Sequence, residues 1–490
     1  MQLVAYGAQD IYLTGNPQIT FFKVVYRRHT NFSMESIKQT FDGTADFGGT
    51  VVATISRNGD LLHRIYLEHE VHLATPSENI HQSINDHLHM GCDYGSHVMK
   101  DYAIEIGGQI IDKHYGHWHS VYHQLTEFNP TGGGKVSAND GPIRAHDTLY
   151  NRMSGNGFGF EAGRSLFPAY GSSGVSGEYR GWNATAHDTA GQWATLNGRF
   201  WIPLYFWFCK NPGLALPLIA LQYHEVKVKI NFEDIGQLMF VSPTSQGGSS
   251  NPESVYAPKM ALNQEARIQN TNPQGVINGK KVFDLWCDYI YLDTDERRRF
   301  AQVSHEYLIE QLQFQNYDSM RIFDLYFNHP IKELIWTGVR FSARSDNIAN
   351  MGGQAHTYND HNLFARGIDD LDATDHVHEE HDNGPVTGSN WVLKLNGHDR
   401  FKKRDYRYFT RVQIWQHHTG YGGSNTEADS IAVYSFALKP EEHQPSGTCN
   451  FSRIDTTQLI SDAETYLNVY AINYNVLRIM SGMGGLAYSN

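Results

Sequence analysis

Histidines are the residues of this sequence whose type and spacing come closest to suggesting chemistry. The segment HYGHWHSVYHQ holds four of them, His114, His117, His119 and His123. His117 and His119 would share one face of a strand, whereas His119 and His123 would share one face of a helix, and imidazoles so placed suit zinc, copper or nickel. No carboxylate or thiolate is spaced to complete such a ligand set. We therefore predict a packed or surface cluster of histidines and no metal ligand.

A second group, His376, His378 and His381, lies among aspartates and glutamates and receives the same interpretation. The sequence contains 26 histidines, so clusters of this size are expected without a functional reason. A contact that responds to pH is the alternative that these histidines leave open.

Two glycine-rich segments, residues 155–159 and 481–485, superficially resemble phosphate-binding loops. Neither ends in Gly-Lys-Ser/Thr or stands between a strand and a helix, so we predict a flexible loop for the first and a flexible tail for the second. The sequence also lacks a Gly-x-Ser-x-Gly or His-Glu-x-x-His motif. We predict no catalytic residue, no cofactor-binding residue and no cofactor, and hence a protein that is not an enzyme.

The charge balance disfavours direct binding of nucleic acid. Lys and Arg number 39 against 52 Asp and Glu, which gives a net charge of −13. Proteins that hold nucleic acid by its phosphates instead present a basic face. A run of three arginines, residues 297–299, follows Asp293, Asp295 and Glu296. Local charge pairing is therefore favoured over a nuclear signal or a nucleic-acid patch.

Four scattered cysteines form no C-x-x-C pair, which is typical of a protein in a reducing compartment. The opening residues, MQLVAYGAQDIYLTGNPQ, lack the basic and apolar regions of a signal peptide. The most apolar stretch, residues 200–223, is interrupted by Lys-Asn-Pro-Gly at residues 210–213. We therefore predict two apolar strands joined by a turn, and no membrane-spanning helix.

Short alternating segments predict strands along most of the chain. They are residues 36–41, 51–55, 61–73, 102–106, 226–232, 285–292 and 331–341. Glycine-containing turns, such as those at residues 107–108 and 396–397, bound several of them, and this pattern is typical of an all-β sandwich or barrel. Polar, glycine-rich stretches at about 132–198, 243–279 and 347–390 break the pattern, and we predict surface loops there.

A weak internal repeat predicts two similar β domains in tandem. In each half, a strand, a glycine turn and a basic strand precede an aromatic strand that ends in Lys and Pro. These are residues 102–115 and 200–213 in the first half, and residues 391–406 and 430–447 in the second. With 490 residues, the chain is also too long for one compact core. The join between the domains would lie near residues 294–305.

Seven longer blocks are recognisable when they are taken together. They are LVAYGAQDIYLTGNPQITFFKVVYRRHTNF (3–32), SRNGDLL (56–62), IGGQIIDKHY (106–115), NPGLALPLIALQYHEVK (211–227), DYIYLDTDERRRFAQVSHEYLIEQLQF (288–314), SFALKPEEHQPSGTCNFSRID (435–455) and NYNVLRIMSGMGGLAYSN (473–490). In content and order they resemble the major capsid proteins of nucleocytoplasmic large DNA viruses, especially the chlorovirus and algal-virus branch.

The resemblance implies an all-β double jelly roll, that is, two tandem eight-stranded β-sandwiches with long surface loops. It implies an N-terminal arm at 1–22, a first jelly roll at 23–296 with a Gly/His-rich insert at about 116–198, and a second jelly roll at 297–490 with an insert at about 347–390. Three chains would form a pseudo-hexagonal homotrimer, and these capsomers would tile the icosahedral shell of a large dsDNA virus.

The same resemblance implies the partners. They are further copies of this chain, minor capsid proteins and the internal viral membrane, with no direct contact to nucleic acid. The protein would be a late protein of the virion, assembled in the host cytoplasm. Acceptor motifs occur at Asn31, Asn183 and Asn450, but without a signal peptide the host machinery should not reach them. Glycosylation of some algal-virus relatives by viral enzymes at other sites leaves glycan decoration of the outer loops open. Two alternative functions are a jelly-roll carbohydrate-binding protein and a cupin-like metalloenzyme.

Overall fold

Strands dominate the part of the chain that the computed structural model describes. The described residues are 28–74, 86–90, 94–127, 149–155, 182–185, 195–234, 239–243, 281–339, 390–420 and 431–488, with the single residues 16, 22, 26 and 422. In these ranges we find no helix that is long and apolar enough to cross a membrane.

The strands are β1 Phe32–Gln39, β2 Phe41–Asp42, β3 Thr50–Thr54, β4 Leu61–Ala74, β5 Asp86–Met90, β6 Met99–Ile106, β7 Gln109–Tyr115, β8 Trp182–Thr185, β9 Thr195–Pro203, β10 Leu216–Pro217, β11 Val226–Phe232, β12 Met239–Pro243, β13 Lys281–Leu292, β14 His305–Asp324, β15 Pro330–Val339, β16 Asn390–Leu395, β17 His398–Asp399, β18 Arg404–Asp405, β19 Ala432–Ser435, β20 Cys449–Asn450, β21 Thr457–Met480 and β22 Met483–Leu486. The α-helices are α1 Tyr94–His97, α2 Gly116–Thr126, α3 Leu149–Ser154, α4 Trp207–Lys210, α5 Thr294–Gln302 and α6 Gln413–His417. Single turns of 3₁₀ helix span Pro212–Leu214, Leu218–Ala220 and Phe451–Arg453, and a π-helical turn spans Tyr408–Val412.

Two antiparallel sheets in the first half of the chain face each other across one core, and we call this unit the first sandwich (β1–β13). One sheet has the order β1-β13-β4-β9-β8, with β10 beside β4, and the other has the order β2-β3-β11-β6-β7. β5 and β12 pair separately. Alternating side chains of both sheets, such as Ile65 and Leu67 on β4 and Val228 and Ile230 on β11, meet in the core. The pairing of β1 with β13 brings the beginning and the end of the unit together.

Among the described residues of the second half, nine antiparallel strands form one sheet, which we call the second sheet (β14–β22). It is built on two long strands, because β21 pairs with β14 along most of its length. β21 also pairs with β16 near its start and with β15 further along. The core of this unit includes Trp336, Trp391 and Phe409, and the two indole rings lie 5.7 Å apart. Burial of such large aromatic side chains supplies much of the driving force for folding the unit.

Helix α5 connects β13 to β14 and lies within residues 294–305. Its start is capped by Asp293, whose side chain accepts a hydrogen bond from the backbone N–H of Glu296. The predicted local pairing of the arginine run holds for Arg299, which lies 3.6 Å from Glu296. Arg297 instead pairs with Asp60 of the first sandwich, at 3.0 Å. This arginine therefore ties the connecting helix to the first unit.

Each predicted strand overlaps a strand of the structure, but the prediction of two apolar strands at residues 200–223 was wrong. β9 ends at Pro203, and the chain continues through α4 and two 3₁₀ turns, with only the two residues of β10 between them. Pro212 and Pro217 have no N–H to donate, so this segment cannot complete a strand ladder. Most of its apolar side chains are buried in the core, although Tyr223 at its end is exposed.

Two predictions of flexible or looped segments were also wrong. Residues 481–485 comprise the two-residue turn of the β21–β22 hairpin, in which Ser481 and Gly482 adopt φ values of 52° and 80°, and the first three residues of β22. The insert predicted at about 116–198 begins with α2, which is largely buried, and contains β8 and the start of β9 of the first sandwich. The other predicted loops, and the N-terminal arm apart from residues 16 and 22, lie outside the described residues.

Candidate functional site at the junction of the two units

Helix α2 of the first sandwich packs against the second sheet, and we call this contact the junction. Trp118, Val121 and Leu125 are spaced so that they share one face of the helix. They pack on apolar residues of the second half of the chain, which are Ile335, Ile414, Ile431, Val433, Tyr470 and Ile472. The Trp118 side chain is 2% exposed, and its ring lies 5.0 Å from that of Tyr470. The two units are therefore joined by an apolar contact that excludes water.

The C-terminal end of α2 is capped by residues of the second half. The N–H groups of Gly420 and Gly422 donate to the carbonyls of Leu125 and Gln124, at 2.7 and 2.8 Å. The Thr419 hydroxyl oxygen lies 3.1 Å from the carbonyl oxygen of Thr126. These bonds satisfy carbonyls that a helix end leaves without intrahelical partners. A Cβ on Gly420 would lie 2.4 Å from the Gln124 oxygen, so this close approach requires glycine.

A group of three charges crosses the junction beside α2, with the side chains of Glu310 and Lys332 buried and that of Lys210 partly exposed. Glu310 of β14 accepts hydrogen bonds from Lys332 of β15, at 2.5 Å, and from Lys210 of the first sandwich, at 3.1 Å. Lys332 also donates to the carbonyl of Pro440 at 2.6 Å. Burial alone would raise the pKa of Glu310, but the two ammonium groups lower it to about 2. The carboxylate is therefore ionised at neutral pH and holds a lysine of each unit.

A second buried ionic group lies next to the first. His418 is placed between two carboxylates, with Nε2 3.1 Å from Glu333 and Nδ1 3.0 Å from Glu441. Thr419 donates to Glu441 through its N–H and its hydroxyl. Burial opposes the charge on His418, but Glu333 and Glu441 outweigh this effect and raise its pKa to about 9. An imidazolium at neutral pH thus fixes the segment that caps α2.

We expect this imidazolium to make the protein less stable in alkaline solution. The folded-state pKa of His418 lies above its ordinary value of 6.5, so its contribution is complete below pH 6.5 and is lost as the pH rises through about 9. The contribution amounts to about 3 kcal/mol of unfolding free energy. In urea titrations between pH 6 and pH 10, His418→Gln should lack this part of the decline, whereas His417→Gln should keep it. Equal slopes for wild type and His418→Gln would contradict the assignment.

The structure places the four histidines of HYGHWHSVYHQ in packed positions. His114 on β7 contacts Asp112 at 2.8 Å, and His117 on α2 contacts the Tyr470 hydroxyl at 2.6 Å. His119 and His123, also on α2, bond backbone carbonyls and are 0% and 3% exposed. Among the described residues, no three His, Cys, Asp or Glu side chains are grouped so as to hold a metal ion. The second histidine group, at residues 376–381, lies outside the described ranges.

The buried charges at the junction were missed from the sequence. One signal was available, because Lys332 and Glu333 interrupt the apolar strand that was predicted at residues 331–341. Two adjacent charges within a buried strand require partners. Lys332 pairs with Glu310 and Glu333 pairs with His418, and no local sequence pattern identifies either partner.

The arrangement of the two units is similar to that of solved viral capsid proteins. The VP54 protein of PBCV-1, in a crystal structure fitted into a cryo-EM reconstruction of the virophage Sputnik, has a TM-score of 0.63 and 32% identity, covering 96% of this chain and 100% of that chain. The Faustovirus major capsid protein has a TM-score of 0.61 at 12% identity, covering 97% and 94%, and supports the fold alone. The fold is that of the double jelly-roll capsid proteins, which confirms the predicted fold class.

Sequence comparisons identify the family. A model of the major capsid protein N-terminus matches residues 20–293, and a model of the large eukaryotic DNA virus major capsid protein matches residues 296–485. The chain is 43% identical to the major capsid protein of Pyramimonas orientalis virus and 37% identical to that of Paramecium bursaria Chlorella virus 1, over 100% of this chain and 99% of each relative. The chain belongs to the family of large eukaryotic DNA virus major capsid proteins, which are structural proteins of the virion.

Proposed function

We propose that this chain is the repeating tile of an icosahedral capsid, and that three copies form a pseudo-hexagonal capsomer. The observation that carries the proposal is the junction, which joins two β units of one chain through buried apolar and ionic contacts. Two similar units per chain place six around a threefold axis, so a trimer can pack on a hexagonal lattice. Because angular errors at each contact accumulate over a shell, such a tile needs a stiff joint between its units.

Exposed apolar side chains of the described residues supply material for contacts between copies. Among the described residues from Phe32 onward, the most exposed large apolar side chains are those of Tyr223, Tyr326, Trp415 and Leu438, at 76%, 75%, 82% and 76%. Large apolar and aromatic residues are enriched in protein interfaces. They support self-association, which is the property that a tile requires.

The proposal keeps the division into an arm at 1–22, a first jelly roll at 23–296 and a second at 297–490. It also includes minor capsid proteins and the internal viral membrane as partners, assembly in the host cytoplasm, late synthesis and glycan decoration. In this proposal the chain performs no catalysis, binds no cofactor and makes no direct contact with the genome. Its function is structural and depends on the folded shape of the chain and on the contacts that the chain makes.

The native mass of the purified full-length protein tests the proposal. Size-exclusion chromatography with light scattering should give about 167 kDa, three times the chain mass of 55.6 kDa. Negative-stain images of that peak should show particles with a hexagonal outline. A protein that stays monomeric at high concentration and binds defined glycans on an array would contradict the proposal and support a carbohydrate-binding protein.

A further inference from the structure

Helix α2 buries imidazoles on the side that faces the first sandwich. Together with His97 of α1, its residues His119 and His123 form what we call the histidine cluster, whereas His117 contacts Tyr470 of the second sheet. The rings of His119 and His123 lie 6.4 Å apart, and His119 packs 4.7 Å from the ring of Tyr205. His123 packs 5.2 Å from the ring of Tyr150 on α3. The helix that joins the two units therefore carries buried ionisable side chains where it contacts the first sandwich.

Hydrogen bonds hold two of these imidazoles in the neutral form. His119 Nε2–H donates to the carbonyl of Pro203 at 2.7 Å, so its Nδ1 accepts from the Ser96 hydroxyl at 2.8 Å. His123 Nδ1–H donates to the carbonyl of His119 at 3.2 Å, and its Nε2 accepts from the Gln124 amide at 3.0 Å. A second proton on His123 would face the N–H of that amide. Protonation therefore requires the amide to turn over or the helix to move.

The surroundings of the cluster do not compensate added positive charge. Asp112 is already bonded to His114, and Glu127 accepts from the Tyr205 hydroxyl. The first turn of α2, which contains His117 and His119, lies at the positive end of the helix dipole. The cluster is surrounded by titratable and charged groups of six elements. They are Asp112 and His114 of β7, Tyr102 of β6, Arg64 of β4, Tyr205 and Lys210 near α4, Tyr150 of α3, and Tyr470 of β21, together with His117, Tyr122 and Glu127 of the α2 segment itself.

We propose that α2 is an acid-sensitive latch, in which protonation of the histidine cluster displaces the helix and uncouples the first sandwich from the second sheet. The same helix carries the cluster on one side and Trp118, Val121 and Leu125 on the other. A shift of α2 therefore breaks the junction at the same time. The inference concerns contacts within one chain and does not depend on the capsomer.

The direction of the pH dependence follows from burial. Burial lowers the pKa of His117 and His123 to about 4 and that of His119 to about 3, and it also lowers that of His97. The closed latch is therefore fully stabilised above pH 6.5 and loses stability as the pH falls towards 4. Glu310, whose pKa is lowered instead, loses its contribution only below its ordinary value of 4.5. The range from pH 6 to pH 5 thus reports on the histidines and not on Glu310.

Hydrogen exchange of the full-length protein, corrected for the pH dependence of the chemical rate, tests the latch. The opening constant of residues 116–126 should rise at least about 50-fold between pH 6 and pH 5, because two or more protons are taken up on opening. Residues 281–292 of β13, in the first core, should stay protected over the same range. A rise below tenfold, or simultaneous opening of β13, would overturn the proposal.

A double variant, His119→Asn with His123→Gln, removes two titrating groups and retains side chains that can hydrogen-bond. It should lower the rise in the opening constant between pH 6 and pH 5 by about 50-fold relative to wild type, because the two substituted side chains no longer take up protons on opening. The matched control His398→Gln changes an exposed histidine of β17 and should behave as wild type. If the double variant does not fold, hydrogen exchange of the wild-type protein at pH 6 and pH 5 remains the test of the latch. An unchanged rise in a folded double variant would contradict the latch.

Discussion

Replacing Glu310 with Gln should lower the free energy of unfolding by about 3–5 kcal/mol, because a buried ion pair that loses one partner leaves the other charge uncompensated. Here two ammonium groups, those of Lys210 and Lys332, would be left facing a neutral amide. Lys332 is 2% exposed and cannot reach water without opening the junction. Chemical denaturation at pH 7, monitored by circular dichroism, measures the change.

A control on the same strand separates the effect of breaking a buried ion pair from the effect of removing one negative charge. Glu306 of β14 pairs with Arg478 at 2.9 Å, but both side chains are more than half exposed, at 61% and 54%. Glu306→Gln should therefore change the unfolding free energy by less than about 0.5 kcal/mol. If Glu310→Gln is no more destabilising than this control, the buried charges do not stabilise the joint between the units.

Replacing Trp118 with Ala should cost about 3–5 kcal/mol of unfolding free energy, since it removes the largest side chain of the apolar junction. Trp118 contacts Tyr122 on its own helix and Tyr470 on β21, so its loss leaves a cavity between the units. The variant should also open residues 116–126 to hydrogen exchange before the first core opens, because α2 then has less contact with the second sheet.

The matching control is Trp415→Ala, which removes the same side chain from a site that is 82% exposed. It should change the unfolding free energy by no more than about 0.5 kcal/mol, since no core contact is lost. Similar losses of stability in the two tryptophan variants would contradict the conclusion that buried apolar contacts at the junction stabilise the protein.

Much of the fold could be predicted from local patterns. Period-two alternation located strands such as β11 at residues 226–232, because one face of each is buried. The apolar run at residues 200–223 was assigned wrongly, since a short apolar segment buried on all sides has no period that separates strands from turns. Helix α2 was not distinguished from a strand, because its histidines are compatible with either periodicity.

The candidate site could not be predicted in the same way. Its ionic groups combine residues that lie about 100 positions apart, as in Lys210 with Glu310. Which lysine meets which glutamate is decided by how the two units dock, and docking depends on contacts distributed over many residues. The sequence did identify the histidines of α2 and left open a response to pH, but it could not show which helix they would hold in place.

The hairpin of β21 and β22 has a consequence for synthesis of the chain. Leu477 and Ile479 of β21 are part of the core of the first sandwich, and the carbonyl of Gly482 accepts a hydrogen bond from Tyr223. At a translation rate of 5–20 residues per second, the ribosome needs roughly 10–40 s after finishing β13 to make these residues. Throughout that interval the first sandwich has an unfilled core. Folding on the ribosome therefore cannot proceed one unit at a time, and a nascent chain stalled after β13 should be more susceptible to protease than the finished protein.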